Sequence, residues 1–382
     1  MERYILFMLY ICVLLLLCEF FVGLFSPQHL FKYTELEAAP QFYNQSDYLP
    51  YQLRPLSKVD FFNVIGEFNV SVKINSLGYR DKEFSIEKEK NITRILFLGD
   101  SFTHGFGVEL NETYLKIFEN LINKKEIIRY ETINAGYKAG YCPATYYLYF
   151  KKEGVKLNPD IIVMGLFIGN DFEDQRDLLY FIDSNGSIEK IKSKNLYVDE
   201  RHRLRTLEKK VGGYKGILYK INVFLSFHSH FYVLFKESFR KALLIFYSGR
   251  PPPNVYSKNY PKYTANEINE TLFFIKELNL LAKEKGITLV VVGIPREEAV
   301  YKTKIRDNEN NFFEWEKPSI LLNKFSKENN ITFIDLLPSL REYTLLNKTK
   351  VYFDADPHWN KQGHFITGNI LASEFEQRNL LK

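Results

Sequence analysis

The apolar positions of this chain fall into three regimes. Residues 4–18 are uncharged and largely apolar, Glu19 follows, and Phe20 to Phe25 resume the apolar run. Together they make 22 residues, enough to cross a bilayer at about 1.5 Å per residue. Residues 26–90 hold strand-like fragments and no long helical pattern. Within them Phe68 to Ile74 alternates as a strand does, and Asn75-Ser76-Leu77-Gly78-Tyr79-Arg80 reads as the turn after it. From residue 91 two periods alternate. Strand-like runs occupy 94–98, 128–133, 160–167, 287–294 and 331–335, and helix-like runs 112–124, 144–153, 265–285, 318–329 and 361–377. That rhythm predicts βαβ units and a parallel sheet covered by helices on both faces.

Residues 175–262 interrupt the rhythm. An amphipathic portion lies around Tyr219–Leu244, and Pro251-Pro252-Pro253 is a breaker. The stretch reads as a helical insertion over the active-site end of the sheet: a lid, a substrate wall or a membrane-resting surface. The expected division is therefore an anchor over 1–25, a β-rich extension over 26–90, and an α/β domain over 91–382 that carries the insertion.

The N-terminal run fits a retained transmembrane helix better than a cleaved signal. Leu24-Phe25-Ser26 and its neighbours fit the small-residue pattern of a cleavage site poorly, and Leu15-Leu16-Leu17 before Cys18 lacks the small residue expected before a lipidated cysteine. Arg3 favours a cytoplasmic N-terminus. A buried helix of a soluble protein is the third reading.

Charge excludes some partners. The chain has 51 basic and 46 acidic residues, net +5, mixed along its length, so no nucleic-acid footprint is expected. The basic stretch Lys190 to Lys215 follows Glu189, contains Asp199, Glu200 and Glu208, and reads as a solvated surface. Of three cysteines, Cys12 and Cys18 lie in the apolar N-terminus and Cys142 stands alone. That leaves no disulfide framework, no cysteine metal site and no activated thiol. His228 and His230 are spaced wrongly for a helical metal pair, and neither a metal nor a cofactor is expected.

The chemistry-bearing residues sit at the ends of the strand-like runs. Gly99-Asp100-Ser101-Phe102 follows Arg94 to Leu98 and places Ser101 at the carboxyl end of a buried strand, where open α/β sheets hold ligands. A serine hydroxyl needs a base within hydrogen-bond reach. The candidate is His358, in Asp354-Ala355-Asp356-Pro357-His358-Trp359-Asn360. Pro357 disfavours helical geometry at Asp356, and in an extended segment residues two apart face one side. Asp356 is thus the expected partner of His358, with Asp354 as the alternative. His364 reads as structural, His104 as a minor candidate for substrate contact, and Arg80 as a structural salt bridge.

Ser101, Gly140, Asn170 in Ile168-Gly169-Asn170-Asp171, and His358, in that order, resemble the four sequence blocks of the SGNH (GDSL-type) hydrolases over most of residues 91–374. Two departures are visible: Ile168 stands where the family usually has glycine, and Ala355 where many members have the Asp of Asp-x-x-His. The final block is similar to the Asp-x-His-Trp variant of alginate-acetylation relatives. The resemblance implies a three-layer α/β/α, flavodoxin-like fold and Ser-His-Asp catalysis. It implies an oxyanion hole from the Ser101 amide, a glycine amide (Gly140, or Gly136) and the Asn170 side chain. It also implies an ester hydrolase that removes O-acyl, most simply O-acetyl, groups from a cell-surface glycan outside the cytoplasm. The alternatives are an O-acyltransferase working with a multi-spanning membrane acyltransferase partner, and a non-catalytic binding module on the same fold.

Overall fold

The structure, a computed structural model, describes residues 2–27, 41–62, 67–125, 129–137, 140–207, 213–246, 254–301, 313–354 and 356–381. Pro251-Pro252-Pro253 and Ala355 lie outside the described residues. The first element is α1 (Glu2–Phe25), long and apolar enough to cross a membrane, with its side chains almost all exposed.

The extension that follows builds two small antiparallel ladders, β1 (Tyr43–Asn44) with β2 (Gln52–Leu53) and β3 (Lys58–Phe62) with β4 (Asn69–Lys73). The alternation expected over 68–74 is that of β4, with Val70 and Val72 buried. The expected turn forms behind it: Asn75 Oδ1 accepts from the Leu77 and Tyr79 amides at 3.0 and 2.8 Å, and Gly78 takes φ +88°.

The α/β domain proceeds through β5 (Ile92–Gly99), α2 (Ser101–His104), α3 (Tyr114–Lys125), β6 (Arg129–Gly136), α4 (Pro143–Lys152) and β7 (Ile161–Phe167). The insertion comes next, and it is not purely helical. It opens with two antiparallel hairpins, β8 (Leu178–Ile182) with β9 (Ile188–Ser193) and β10 (Leu196–Val198) with β11 (Leu204–Thr206). The amphipathic portion then divides into α5 (Gly213–His228) and α6 (His230–Phe246). The chain returns to the domain with α7 (Lys262–Glu284), β12 (Thr288–Ile294), α8 (Glu297–Tyr301), α9 (Lys317–Glu328), β13 (Thr332–Asp335), α10 (Leu336–Asn347) and α11 (Lys361–Gln377).

The five long strands form one sheet in the order β13-β12-β7-β5-β6, every pairing parallel. In chain order this is 2-1-3-4-5, the flavodoxin-like arrangement, whose topological switch point lies between the carboxyl ends of its first and third strands. Here those are β5 and β7. Strands buried on both faces read as continuous apolar runs, and Ile95 to Leu98 and Ile162 to Met164 are all fully buried. Helix α3 packs against α11, and α4 packs against α7.

Candidate active site

Three glycines prepare the ground for Ser101. In the sheet register Gly99 lies opposite Gly136 on one side and Gly165 on the other. A Cβ on Gly99 would meet Thr103 Oγ1 at 2.1 Å, one on Gly136 the His104 amide nitrogen at 2.3 Å, and one on Gly165 Thr103 Oγ1 at 2.7 Å. The row of bare backbone lets the four-residue helix α2 sit directly on the strand ends. Asp100 caps that turn, its Oδ1 accepting from the Phe102 amide at 2.9 Å, and Gly105 closes it at φ +84°, a left-handed conformation that favours glycine. Ser101 is thereby the first residue of a helical turn, where a backbone N–H has no intrahelical acceptor.

Arg80 holds the far side of this turn. Its guanidinium donates to the carbonyls of His104 (2.8 Å), Gly105 and Val108 (2.5 Å). The salt bridge expected of it is replaced by a clamp of the buried side chain on three carbonyls. Burial lowers its pKa to about 10, against the raising charges of Glu109 and Glu112. His104 is buried beneath the turn, its Nδ1 3.3 Å from the Gly136 carbonyl, so it is not a surface contact for substrate. His364 is buried on α11, where its Nδ1 accepts from the Tyr114 amide at 3.2 Å; burial drives its pKa down to about 3, with Arg80 and His358 adding to the effect.

His358 arrives on a tight loop before α11. Tyr352 and Trp359 form an antiparallel bridge, the Phe353 amide donates to the His358 carbonyl at 3.0 Å, and Asn360 caps α11 through the Gly363 amide at 3.0 Å. The imidazole lies between Phe102 and Phe106, with ring centroids 5.0 and 4.5 Å away. Its Nε2 is 2.7 Å from Ser101 Oγ, and its Nδ1 is 2.5 Å from Asp356 Oδ1, which also accepts the His358 amide at 3.0 Å. Ser101, His358 and Asp356 thus form one hydrogen-bonded chain. Asp354 points elsewhere, to an exposed ion pair with Lys350. The extension braces this loop from behind: the Phe68 ring meets Phe106 edge to face and lies tilted against Phe353, with centroids 5.2 Å from each.

Of the expected oxyanion donors, Asn170 follows β7 across the switch point from Ser101. Its Nδ2 donates to Asp174 Oδ2 at 2.6 Å, and the Asp174 amide donates back to the Asn170 carbonyl at 2.8 Å. With one amide hydrogen held, the second is left to point away from Asp174. Gly140 follows β6 at φ +79°, and Leu196 of β10 stands 2.9 Å from where its Cβ would be, so the insertion walls this side of the strand ends. Gly136 differs: its amide already donates to Asn134 Oδ1 at 2.9 Å.

The sequence reading did not anticipate the acids that surround Asn170. Burial pushes Asp100 up to about 6, although the Phe102 amide and the His358 charge pull the other way. Burial and then the charge of Asp100 push Asp174 up to about 7. Asp171 is driven well above the ordinary carboxylate range by burial and by both neighbours, while accepting from the Phe167 amide at 3.0 Å and the Tyr146 hydroxyl at 3.3 Å. The Asn-Asp-x-x-Asp run at 170–174 was the available signal.

Sheet order, strand-end serine and C-terminal histidine loop together define a flavodoxin-like three-layer α/β/α fold with a serine and a histidine paired at its switch point. Residues 256–382, which hold the His358 loop but not Ser101, match the family model described as SGNH hydrolase-like domain, acetyltransferase AlgX. Among solved structures the chain is similar to a lipase/acylhydrolase from Enterococcus faecalis, with 11% identity, 75% of this chain and 96% of that chain covered, and a TM-score of 0.40. It is also similar to the acetyl xylan esterase AlAXEase (14% identity, 74% and 98% covered, TM-score 0.41). A third is a catalytic mutant of Axe2, an acetylxylan esterase from Geobacillus stearothermophilus (11%, 74% and 93%, 0.40). Likenesses at this level carry no argument about substrate or reaction. No curated protein sequence matches the chain.

Proposed function

We propose that this protein cleaves ester bonds with Ser101 as nucleophile, His358 as general base and Asp356 as the acid that orients and stabilises the imidazolium. The observation that carries this is the unbroken chain from Ser101 Oγ through His358 to Asp356 at the switch point of the sheet. Ser101 Oγ attacks the acyl carbonyl while its proton passes to His358 Nε2. The proton then leaves with the alcohol, and a water activated by the same nitrogen releases the acid and restores the serine. The amides of Ser101 and Gly140 and the free Asn170 Nδ2 hydrogen are the donors for the oxyanion, each worth about 3–4 kcal/mol of barrier. Gly140 suits this better than Gly136, whose amide is already engaged.

The substrate is an O-acyl, most simply O-acetyl, group on a surface glycan, met by a domain that α1 holds at the outer side of a membrane. The family model's description as an acetyltransferase favours a second reading, in which a sugar hydroxyl replaces water as acceptor and a multi-spanning membrane acyltransferase supplies the acyl group. Ser101→Ala should leave the chain folded and abolish hydrolysis of a chromogenic acetyl ester. Wild-type turnover by that variant would refute the assignment. Faster acyl release when a soluble oligosaccharide acceptor is added, with acyl recovered on the sugar, would select the transferase.

A further inference from the structure

Two features, one on α1 and one on the insertion, are not used by the active site. The first is Glu19, an ionisable group inside α1. A carboxylate within a bilayer is expensive and needs partners. Glu19 has three: Ser229 Oγ donates to its Oε2 at 2.6 Å, the His230 amide to Oε1 at 2.8 Å, and the Phe231 amide to Oε2 at 3.1 Å. These are the donors at the break between α5 and α6, so Glu19 caps α6 across more than two hundred residues of chain. Gly23, one turn on, lets the two helices close: a Cβ there would stand 3.4 Å from His230 Cδ2. Glu19 lies six residues before the end of α1 at Phe25, about 9 Å along the helix axis. The tip of the α5–α6 hairpin is therefore fixed at that depth.

The second feature is what the hairpin exposes. On α5, Tyr214, Ile217, Leu218, Ile221 and Phe224 are 48–69% exposed, and their spacing of three and four residues places them on one face. On α6, Phe235 and Phe239 are likewise exposed, with rings stacked 6.1 Å apart. Large apolar side chains exposed together in this way mark an interaction surface. Over residues 213–246 the sequence supplies Lys215, Lys220, Lys236, Arg240 and Lys241 against the single acid Glu237. With 16 and 17 residues and interspersed charge, α5 and α6 fall short of a span. A basic amphipathic helix of this kind lies in the plane of the bilayer interface instead.

We infer that the α5–α6 hairpin is an interfacial membrane element: its apolar face sits in the boundary of an anionic bilayer, and Glu19 locks its tip to α1. This rests on the reading of α1 as a retained membrane helix. The hairpin then belongs to the lipid surface and holds the domain against it, while the β8–β11 hairpins wall the site. The occupant is the bilayer itself, because the face is continuous with the lipid-crossing helix through the Glu19 contact.

The test uses the full chain with Cys12→Ser and Cys18→Ser, the buried Cys142 being retained. It is reconstituted in vesicles of phosphatidylcholine and phosphatidylglycerol that carry nitroxide-labelled acyl chains. Single cysteines at Leu14, Phe224, Phe235 and Leu345 receive an environment-sensitive fluorophore. We expect quenching at 224 and 235 within about twofold of that at 14, and none at 345, an exposed position on α10. Quenching at 14 alone would overturn the hairpin's role and leave the anchor standing. No quenching at any position would overturn both readings. Adding Glu19→Ala should reduce quenching at 235 and leave it unchanged at 14; unaltered quenching at 235 would refute the lock.

Discussion

The choice of Asp356 over Asp354 as the acid of the catalytic chain can be tested by one pair of substitutions. Asp356 Oδ1 serves two donors of the same residue, the His358 ring at 2.5 Å and its amide at 3.0 Å. Asp356→Asn keeps the size and an oxygen for the amide but removes the charge that stabilises the imidazolium. It also offers an NH₂ that selects the wrong imidazole tautomer when it faces Nδ1. Loss of the orienting acid lowers turnover by up to about 10⁴-fold, equivalent to about 5.5 kcal/mol of barrier. With the amide oxygen able to remain on both donors, we expect a fall of about 10²–10⁴ in kcat/KM for a chromogenic acetyl ester. Asp354, by contrast, has a side chain 69% exposed and, among the described residues, paired with Lys350. An exposed pair of that kind is worth about 0–1 kcal/mol, so Asp354→Asn should stay within about twofold of wild type in rate. An Asp354→Asn defect as large as that of Asp356→Asn would overturn the assignment. So would an Asp356→Asn enzyme within a factor of two of wild type.

Two further outcomes follow from the same neighbourhood. Gly136→Ala drives a methyl against the His104 amide nitrogen, 2.3 Å from the ideal Cβ, and should destabilise the fold by about 1–3 kcal/mol or more in denaturant titration; unchanged stability would show that α2 does not rest on the strand ends. Asp174→Asn should stabilise the protein at high pH: with the native pKa raised from 3.8 to about 7, the folded state binds the extra proton between those values, so stability falls as pH rises from 4 to 7. Removing the group should restore up to about 4 kcal/mol above pH 7 and nothing below pH 4, and a variant with the wild-type pH profile of stability would refute the cause given.

What the sequence made legible was local. The Asp-Pro-His geometry follows from a constraint that Pro357 places on its immediate neighbour, and the structure keeps it. Strands 160–167 and 287–294 were readable because burial on both faces makes a run apolar throughout. The glycine row was not readable, because Gly99, Gly136 and Gly165 meet only through the register of strands dozens of residues apart. Glu19 stands in the sequence only as an interruption of the apolar run; its partners lie more than two hundred residues on. The β8–β11 hairpins escaped because their strands are short and half exposed, so neither face gives a clean alternation. Helix α10, absent from the expected runs, begins directly at the end of β13, with Asp335 both closing the strand and capping the helix, so no turn signal separates them.

The buried acids near Asn170 pose an electrostatic question for the proposed reaction, and the answer gives a last prediction. An oxyanion forming near Asn170 would be opposed by ionised Asp171 and Asp174. Burial removes that opposition by favouring the protonated form of both carboxyls, so that Asp174 is protonated below neutral pH. A protonated Asp174 still accepts the Asn170 Nδ2 hydrogen through its carbonyl oxygen, so the amide stays aimed while no charge stands behind it. Raising the pH through about 7 ionises Asp174, which strengthens its hold on Nδ2 and sets a negative charge beside the developing one. Turnover should therefore fall through that range, and Asp174→Asn, which can accept the same hydrogen without ionising, should lose this alkaline limb and keep its activity at pH 6. A limb that survives in Asp174→Asn would assign it to another group and remove Asp174 from the electrostatics of the site.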